Sequence, residues 1–347
     1  MIKADHIFHF ASEFELESGG KLPGFQLKYT TLGQLNKDRN NVVWICHALT
    51  GNSDVTTWWN DFFTEGSPYD PRDWFIICAN TLGGCYGSTG PLSIHPVTGK
   101  NYFHEFPLIT NRDVVRAFDL LRQQLRIDHI HTLLGGSLGG QQALEWAILQ
   151  PKVFKNLIPV ACNAAHSPWG IAINEAQRMA IAADPTWNES DTRAGLEGMK
   201  AARAMAMISY RTYEGFGITQ PEKSSEKTDD YRAASYQRYQ GQKLANRFNA
   251  FTYWILSKMM DSHHVGRGRK SIEAALGQIE ARTLVVAVDS DLLFPPSEQE
   301  YLAEHIPDAS LERITSAYGH DGFLVEFESL KKVVRQFLQQ QPKEIVV

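Results

Sequence analysis

Cysteine is scarce in this chain, and its four occurrences, Cys46, Cys78, Cys85 and Cys162, include no C-x-x-C pair and sit mainly in apolar, strand-like contexts. That excludes a disulfide framework and a cysteine-based zinc site and leaves buried thiols. Basic charge is not in excess either. Lys and Arg total 34 against 39 Asp and Glu, a net charge of −5, and no Lys/Arg run marks a surface for nucleic acid or for an anionic membrane. No apolar stretch approaches the roughly 20 residues that a bilayer span needs. The opening Met1-Ile-Lys-Ala-Asp-His6 lacks the basic segment and apolar core of a secretory signal, so a cytoplasmic protein is expected. Internal repeats and low-complexity segments are missing. The adjacent pair His263-His264 does not make a metal site, because neighbours on a helix point in different directions and no carboxylate or Cys completes a ligand set. What is left is a chain whose partners are small molecules.

What is present is a regular alternation. With 347 residues, 43% of them hydrophobic, the chain can build one large α/β domain with an insertion, or two domains. Strand-like segments are expected near 25–31, 42–47 and 75–80, then a helix over 111–125 whose Val114, Val115, Phe118, Leu121 and Leu125 form one apolar stripe. A strand over 131–135, a helix over 141–149 and a strand over 157–161 continue the pattern, which implies a mostly parallel sheet. From about 167 to 280 no clear strand occurs. The segments 175–183, 196–210, 236–261 and 271–276 read as helical, with a polar stretch over 220–230. A strand over 283–289, a short strand over 310–314 and an amphipathic helix over 323–338 follow. The expected organisation is an α/β core over 1–166 and 281–347, interrupted by a helical lid over 167–280.

The chemistry is concentrated at Gly135-Gly136-Ser137-Leu138-Gly139, which lies between an apolar run and a helical pattern. Small residues around one serine let the backbone make the strained strand-to-helix turn of a nucleophile elbow. Ser137 is the candidate nucleophile. A serine hydroxyl needs an imidazole to take its proton and a carboxylate to hold that imidazole. Both follow in the order Ser, Asp, His that an α/β-hydrolase fold requires. Asp289 and Asp291 both qualify by position at the strand's end, and Asp291, in the loop, is favoured. His320 sits in the loop Ala317-Tyr-Gly-His-Asp-Gly322 before the last helix. The oxyanion donors expected are the backbone N–H of Leu138 and that of Leu49, in the turn after the strand ending at His47.

Longer motifs extend this core. His47-Ala-Leu-Thr-Gly51, Asn80-Thr-Leu-Gly-Gly-Cys-Tyr-Gly-Ser-Thr-Gly-Pro91, Gly135-Gly-Ser-Leu-Gly-Gly-Gln-Gln-Ala-Leu-Glu-Trp146, Asp184-Pro-Thr-Trp187, Tyr239-Gln-Gly241, Ser290-Asp-Leu-Leu-Phe-Pro-Pro296 and Gly319-His-Asp321 stand in one order along the chain. Through them the chain resembles the homoserine O-acetyltransferases, α/β-hydrolase-fold acyltransferases of methionine biosynthesis. The resemblance implies a ping-pong transfer from acetyl-CoA, with no permanently bound cofactor, through an acyl-Ser137 intermediate to L-homoserine. It also implies that Arg178 pairs with the homoserine carboxylate, that Asp321 holds its amino group, and that the helical insertion forms a homodimer. After Trp187 the chain runs from Asn188-Glu-Ser-Asp-Thr-Arg193 straight into a helix, a shorter loop than the family usually has. Serine as acceptor, succinyl-CoA as donor, and an esterase or thioesterase with the same triad remain open at this point.

Overall fold

The computed structural model describes residues 2–340; Met1 and residues 341–347, included in the expected core domain, lie outside them. The strands are β1 (Lys3–Phe10), β2 (Phe14–Glu15), β3 (Lys21–Leu22), β4 (Phe25–Leu32), β5 (Val42–Cys46), β6 (Phe75–Ala79), β7 (Ile130–Gly136), β8 (Phe154–Val160), β9 (Arg282–Val288) and β10 (Ala309–Ile314). Eight of them form one sheet in the order β1-β4-β6-β5-β7-β8-β9-β10, while β2 and β3 pair as a separate small hairpin. Pairing is antiparallel from β1 to β4 and from β4 to β6, and parallel throughout the rest. This is the mostly parallel sheet expected, with an antiparallel edge.

The central strands read as continuous apolar runs because both faces of the sheet are covered. In β5, Val42, Trp44 and Cys46 enter one core while Val43 and Ile45 enter the other. The first core is closed by α1 (Asn111–Gln124) and α2 (Leu138–Leu149), through side chains such as Phe118, Leu121 and Trp146. Residues 55–63 and α10 (Gly322–Val325) and α11 (Phe327–Gln339) cover the second, through Trp59, Phe62, Phe63, Phe323, Leu330, Val334 and Phe337. Helix α1 starts where its sequence signals: the Thr110 side chain accepts from the Asp113 N–H and the Asp113 carboxylate accepts from the Thr110 N–H, a capping box.

Between β8 and β9 lie α3 (Pro168–Ala182), α4 (Leu196–Tyr210), α5 (Tyr213–Thr219), α6 (Arg232–Ala245), α7 (Ala250–Asp261) and α8 (Ile272–Leu276), followed after β9 by α9 (Pro296–His305). α3 and α4 pack together, α4 on α6, and α3 on α7. Two expected elements are corrected. The single helix over 236–261 is two helices, because Asn249 leaves helical geometry and its side chain accepts from the Thr252 N–H, starting α7 afresh. The last helix over 323–338 is likewise divided, at Glu326, whose backbone (φ −87°, ψ 54°) separates α10 from α11. β1 carries no signal of the kind used for the other strands. It is an edge strand in which no residue is fully buried, so its alternation is filled by Lys3, Asp5, His6 and His9.

Candidate active site

Ser137 stands between β7 and α2 at φ 57° and ψ −124°, a conformation a residue with a side chain adopts only when its surroundings force it. The forcing comes from close backbone packing. A Cβ on Gly139 would lie 2.0 Å from the Cys46 carbonyl oxygen, and one on Gly135 would lie 2.1 Å from the Gly139 carbonyl oxygen. The glycines therefore let the first turn of α2 press against the end of β5. That approach brings the residue after the nucleophile next to the turn that follows β5.

On the other side of Ser137, two loops at the carboxyl ends of β9 and β10 meet. His320 Nε2 lies 2.9 Å from Ser137 Oγ, and His320 Nδ1 lies 2.6 Å from Asp291 Oδ2. All three side chains are buried. The second oxygen of Asp291 accepts from the N–H groups of Leu293 and Phe294, at 2.8 and 2.9 Å, so the carboxylate is oriented by its own loop. With Asp291 accepting from Nδ1, the geometry leaves Nε2 as the acceptor for the serine proton. Asp289, the other acid weighed for this position, is exposed and accepts instead from Thr315 Oγ1 at 2.9 Å. Rings of Phe294, Phe323 and Tyr210 stand 5.1, 5.3 and 5.7 Å from the imidazole, centroid to centroid, and limit its rotation. Tyr210 is the last residue of α4, so the helical insertion supplies one wall of the site.

The turn expected to carry the second oxyanion donor is braced by buried polar groups. The Gly51 N–H donates to the Ala48 carbonyl at 2.8 Å, closing a four-residue turn with Leu49 inside it. His47 Nδ1 donates to the same carbonyl at 2.8 Å, and His47 Nε2 accepts from the Thr81 N–H at 3.0 Å. Burial pushes the His47 imidazole down to about 4, which keeps it neutral and able to accept at Nε2. Asn80 accepts from the Ser53 N–H at 2.7 Å and donates to the Tyr86 carbonyl at 2.8 Å. The long glycine-rich motif beginning at Asn80 is thus a brace for residues 47–53. Among the described residues, neither the Leu49 nor the Leu138 N–H has a protein acceptor.

The two residues expected to hold the amino acid fare differently. Arg178 is buried and committed: Nε and Nη2 donate to Glu175 Oε2 at 2.9 and 2.6 Å, Nη2 also to Asp261 Oδ2 at 2.5 Å, and Nη1 to Ser257 Oγ at 3.0 Å. Its donors are matched here to carboxylates of α3 and α7 and to the Ser257 hydroxyl. Asp321, next to His320, has another arginine beside it. Arg211 Nε lies 2.8 Å from Asp321 Oδ2, an ion pair without hydrogen-bond alignment, and its guanidinium stacks 5.2 Å from the Tyr318 ring centre. Arg211 follows Tyr210 directly, so a single helix end delivers both groups. Nothing local marks Arg211 in sequence; its one signal is that it follows an aromatic residue at the end of a helix.

One further acid belongs to this neighbourhood. Glu298 in the first turn of α9 has a buried Oε2 without a partner among the described residues. Burial pushes its carboxyl up to about 7, and the charge of Asp291 adds to that shift. No group of three His, Cys, Asp or Glu that could hold a metal ion occurs among the described residues. No helix among them is long and apolar enough to cross a membrane.

Residues 41–327 match the family described as alpha/beta hydrolase fold. A homoserine O-acetyltransferase of Cyclobacterium marinum is 49% identical over 331 residues, covering 95% of this chain and 94% of that protein. One of Chlorobaculum tepidum is 44% identical over 340 residues, covering 96% and 94%. The crystal structure of homoserine O-acetyltransferase from Bacillus anthracis superposes with a TM-score of 0.92 at 25% identity, over 99% of each chain. Esterase E22 superposes with a TM-score of 0.87 at 23% identity, over 97% of this chain and all of that one, which speaks to the fold alone.

Proposed function

The chain belongs to the homoserine O-acetyltransferases of the α/β-hydrolase fold, and from that membership we propose a ping-pong reaction that uses acetyl-CoA as acyl donor and needs no resident cofactor. His320 Nε2 takes the proton of Ser137 as Oγ attacks the thioester carbonyl. The oxyanion is held by the N–H groups of Leu138 and Leu49. Collapse breaks the C–S bond, CoA leaves as the thiol with the proton from His320, and an acetyl ester remains on Ser137. The homoserine hydroxyl then gives its proton to His320 and attacks that ester. A second collapse releases O-acetylhomoserine and returns the proton to Ser137. Asp291 orients the imidazole and stabilises its charge in both halves.

The observation that carries an amino-acid acceptor is the Arg211–Asp321 pair, one residue from the base. Hydrolysis of an acyl-enzyme requires the triad, the oxyanion donors and water, and no charged pair. A cation and an anion held side by side match the carboxylate and ammonium of a zwitterion, which would exchange partners with them. In this reading Asp321 takes the amino group and Arg211 the carboxylate, with Arg178 a structural ion pair of the insertion. Helices α3 to α8 act as the lid. The exposed apolar side chains Met205, Ile208, Tyr213 and Ile218 on α4 and α5 supply the surface for a homodimer in the cytoplasm.

The test is CoA release from acetyl-CoA and succinyl-CoA with homoserine, with serine and without acceptor, followed by mass spectrometry of products and of Ser137→Ala as control. Homoserine-dependent release from acetyl-CoA with O-acetylhomoserine formed, and none with Ser137→Ala, is the expected result. Equal release without acceptor would make it a thioesterase, and a preference for serine or succinyl-CoA would reassign the substrates.

A further inference from the structure

The joint between α6 and α7 reaches out of the helical insertion to the turn that carries Leu49. Four residues, 246–249, separate the two helices. Phe248 is buried and packs 6.0 Å from the Tyr86 ring and 6.3 Å from that of Tyr253, which anchors the joint. Beside it, Arg247 extends across: Nη1 donates to the Thr50 carbonyl at 2.7 Å and also to the Tyr86 hydroxyl. Cys85 Sγ lies 3.9 Å from the Arg247 carbonyl. One arginine of the insertion thus touches both the 48–51 turn and the glycine-rich segment that braces it.

We propose that Arg247 is a positioning residue for the oxyanion site, through which the insertion sets the direction of the Leu49 N–H. The turn has two fixed carbonyls. That of Ala48 is held from the core side by the Gly51 N–H and His47 Nδ1, and that of Thr50 is held from the insertion side by Arg247. The peptide bearing the Leu49 N–H begins at Ala48, and planarity of each peptide leaves few torsions between it and Thr50. Pinning both carbonyls therefore aims the N–H; releasing one lets it swing. A guanidinium suits the task because it is always charged and its Nη1 carries two N–H groups, one for each acceptor. Helices packed on the core then do more than cover the site, since a shift of the α6–α7 joint withdraws a constraint on transition-state stabilisation.

This inference rests on the reading of Leu49 as an oxyanion donor, and a substrate without CoA or homoserine separates the two. Acylation by p-nitrophenyl acetate reads the triad and the oxyanion site whatever the physiological acceptor. Arg247→Met is expected to lower kcat for p-nitrophenyl acetate and for acetyl-CoA alike, by about 10- to 100-fold, less than outright loss of a donor. KM for both should stay within about twofold, and Arg247→Lys should recover part of the loss. Tyr86→Phe removes only the hydroxyl and should show a smaller fall of the same kind, a reading that stands even if Arg247→Met does not fold. Overturning results are a raised KM for acetyl-CoA with unchanged p-nitrophenyl acetate turnover, which would make Arg247 a contact for the donor's phosphates, or unchanged kinetics with both substrates.

Discussion

Ser137 is served from two sides by arms built in different ways. The relay arm, His320 and Asp291, consists of side chains on two loops at the ends of β9 and β10, linked by contacts of 2.9 and 2.6 Å. The arm proposed for the oxyanion consists of the backbone N–H groups of Leu138 and Leu49, and the side chains beside it, His47, Asn80 and Arg247, contact the main chain of residues 48–53. In the relay arm the residue type is the chemistry, so a substitution deletes a function. In the oxyanion arm the function belongs to the main chain, so only substitutions that move the chain can touch it.

The largest effect expected is on the relay arm. Asp291→Asn should leave the protein folded and cut kcat by about 10⁴-fold, by the same loss of tautomer control seen in other triads. Asp289→Asn, which alters only an exposed contact to Thr315, should leave kcat unchanged. Steady-state rates of the two variants decide it, and a large loss from Asp289→Asn would move the acid. A smaller effect is expected from pushing on the oxyanion arm. Gly139→Ala would set a Cβ 2.0 Å from the Cys46 carbonyl and drive the elbow off the end of β5. Its kcat should fall by about 10²- to 10³-fold, the cost of losing one oxyanion donor. Wild-type rates in that variant would show that the close approach is not required.

The smallest effect expected is on stability as a function of pH. His47, with His131, His166 and His263, is held below its usual range by burial, to about 4 for the first three and about 3 for His263. Unfolded histidines take up protons near pH 6.5 while the folded ones stay neutral, so stability present above that pH is lost as the pH falls towards 4. Glu298, beside the relay arm, has the opposite sign. Its carboxyl is raised to about 7, so the folded state holds a proton that the unfolded state releases, and stability falls as pH climbs from about 4.5 to 7. Calorimetry should show Tm falling on acidification below pH 6.5. Glu298→Gln should raise Tm at pH 8 and leave it unchanged at pH 4.5; a Tm unaltered at pH 8 would remove the buried-proton account.

How much was legible follows the same division. The central strands β5, β7, β8 and β9 are apolar on both faces and announce themselves; β1 does not, because this edge strand buries no residue fully and carries Lys3, Asp5, His6 and His9 among its apolar residues. The break between α6 and α7 was hidden because the residues on either side continue a helical pattern, and the interruption rests on the Asn249 cap. The role of Arg178 came from the resemblance alone, and which carboxylate an arginine meets, Asp261 for Arg178 and Asp321 for Arg211, depends on partners distant in the chain.

By itself the sequence determined the order strand, serine, helix, then acid, then histidine, since each lies at the end of a local apolar pattern and carries its chemistry in its own side chain. It likewise determined where the helical insertion interrupts the sheet. Only the tertiary structure brings Asp291 rather than Asp289 against His320, Asp261 against Arg178, Asp321 against Arg211, and Arg247 against the turn that carries Leu49. The reason is physical: these are choices among residues of one type, made by distance and burial, and folding creates both.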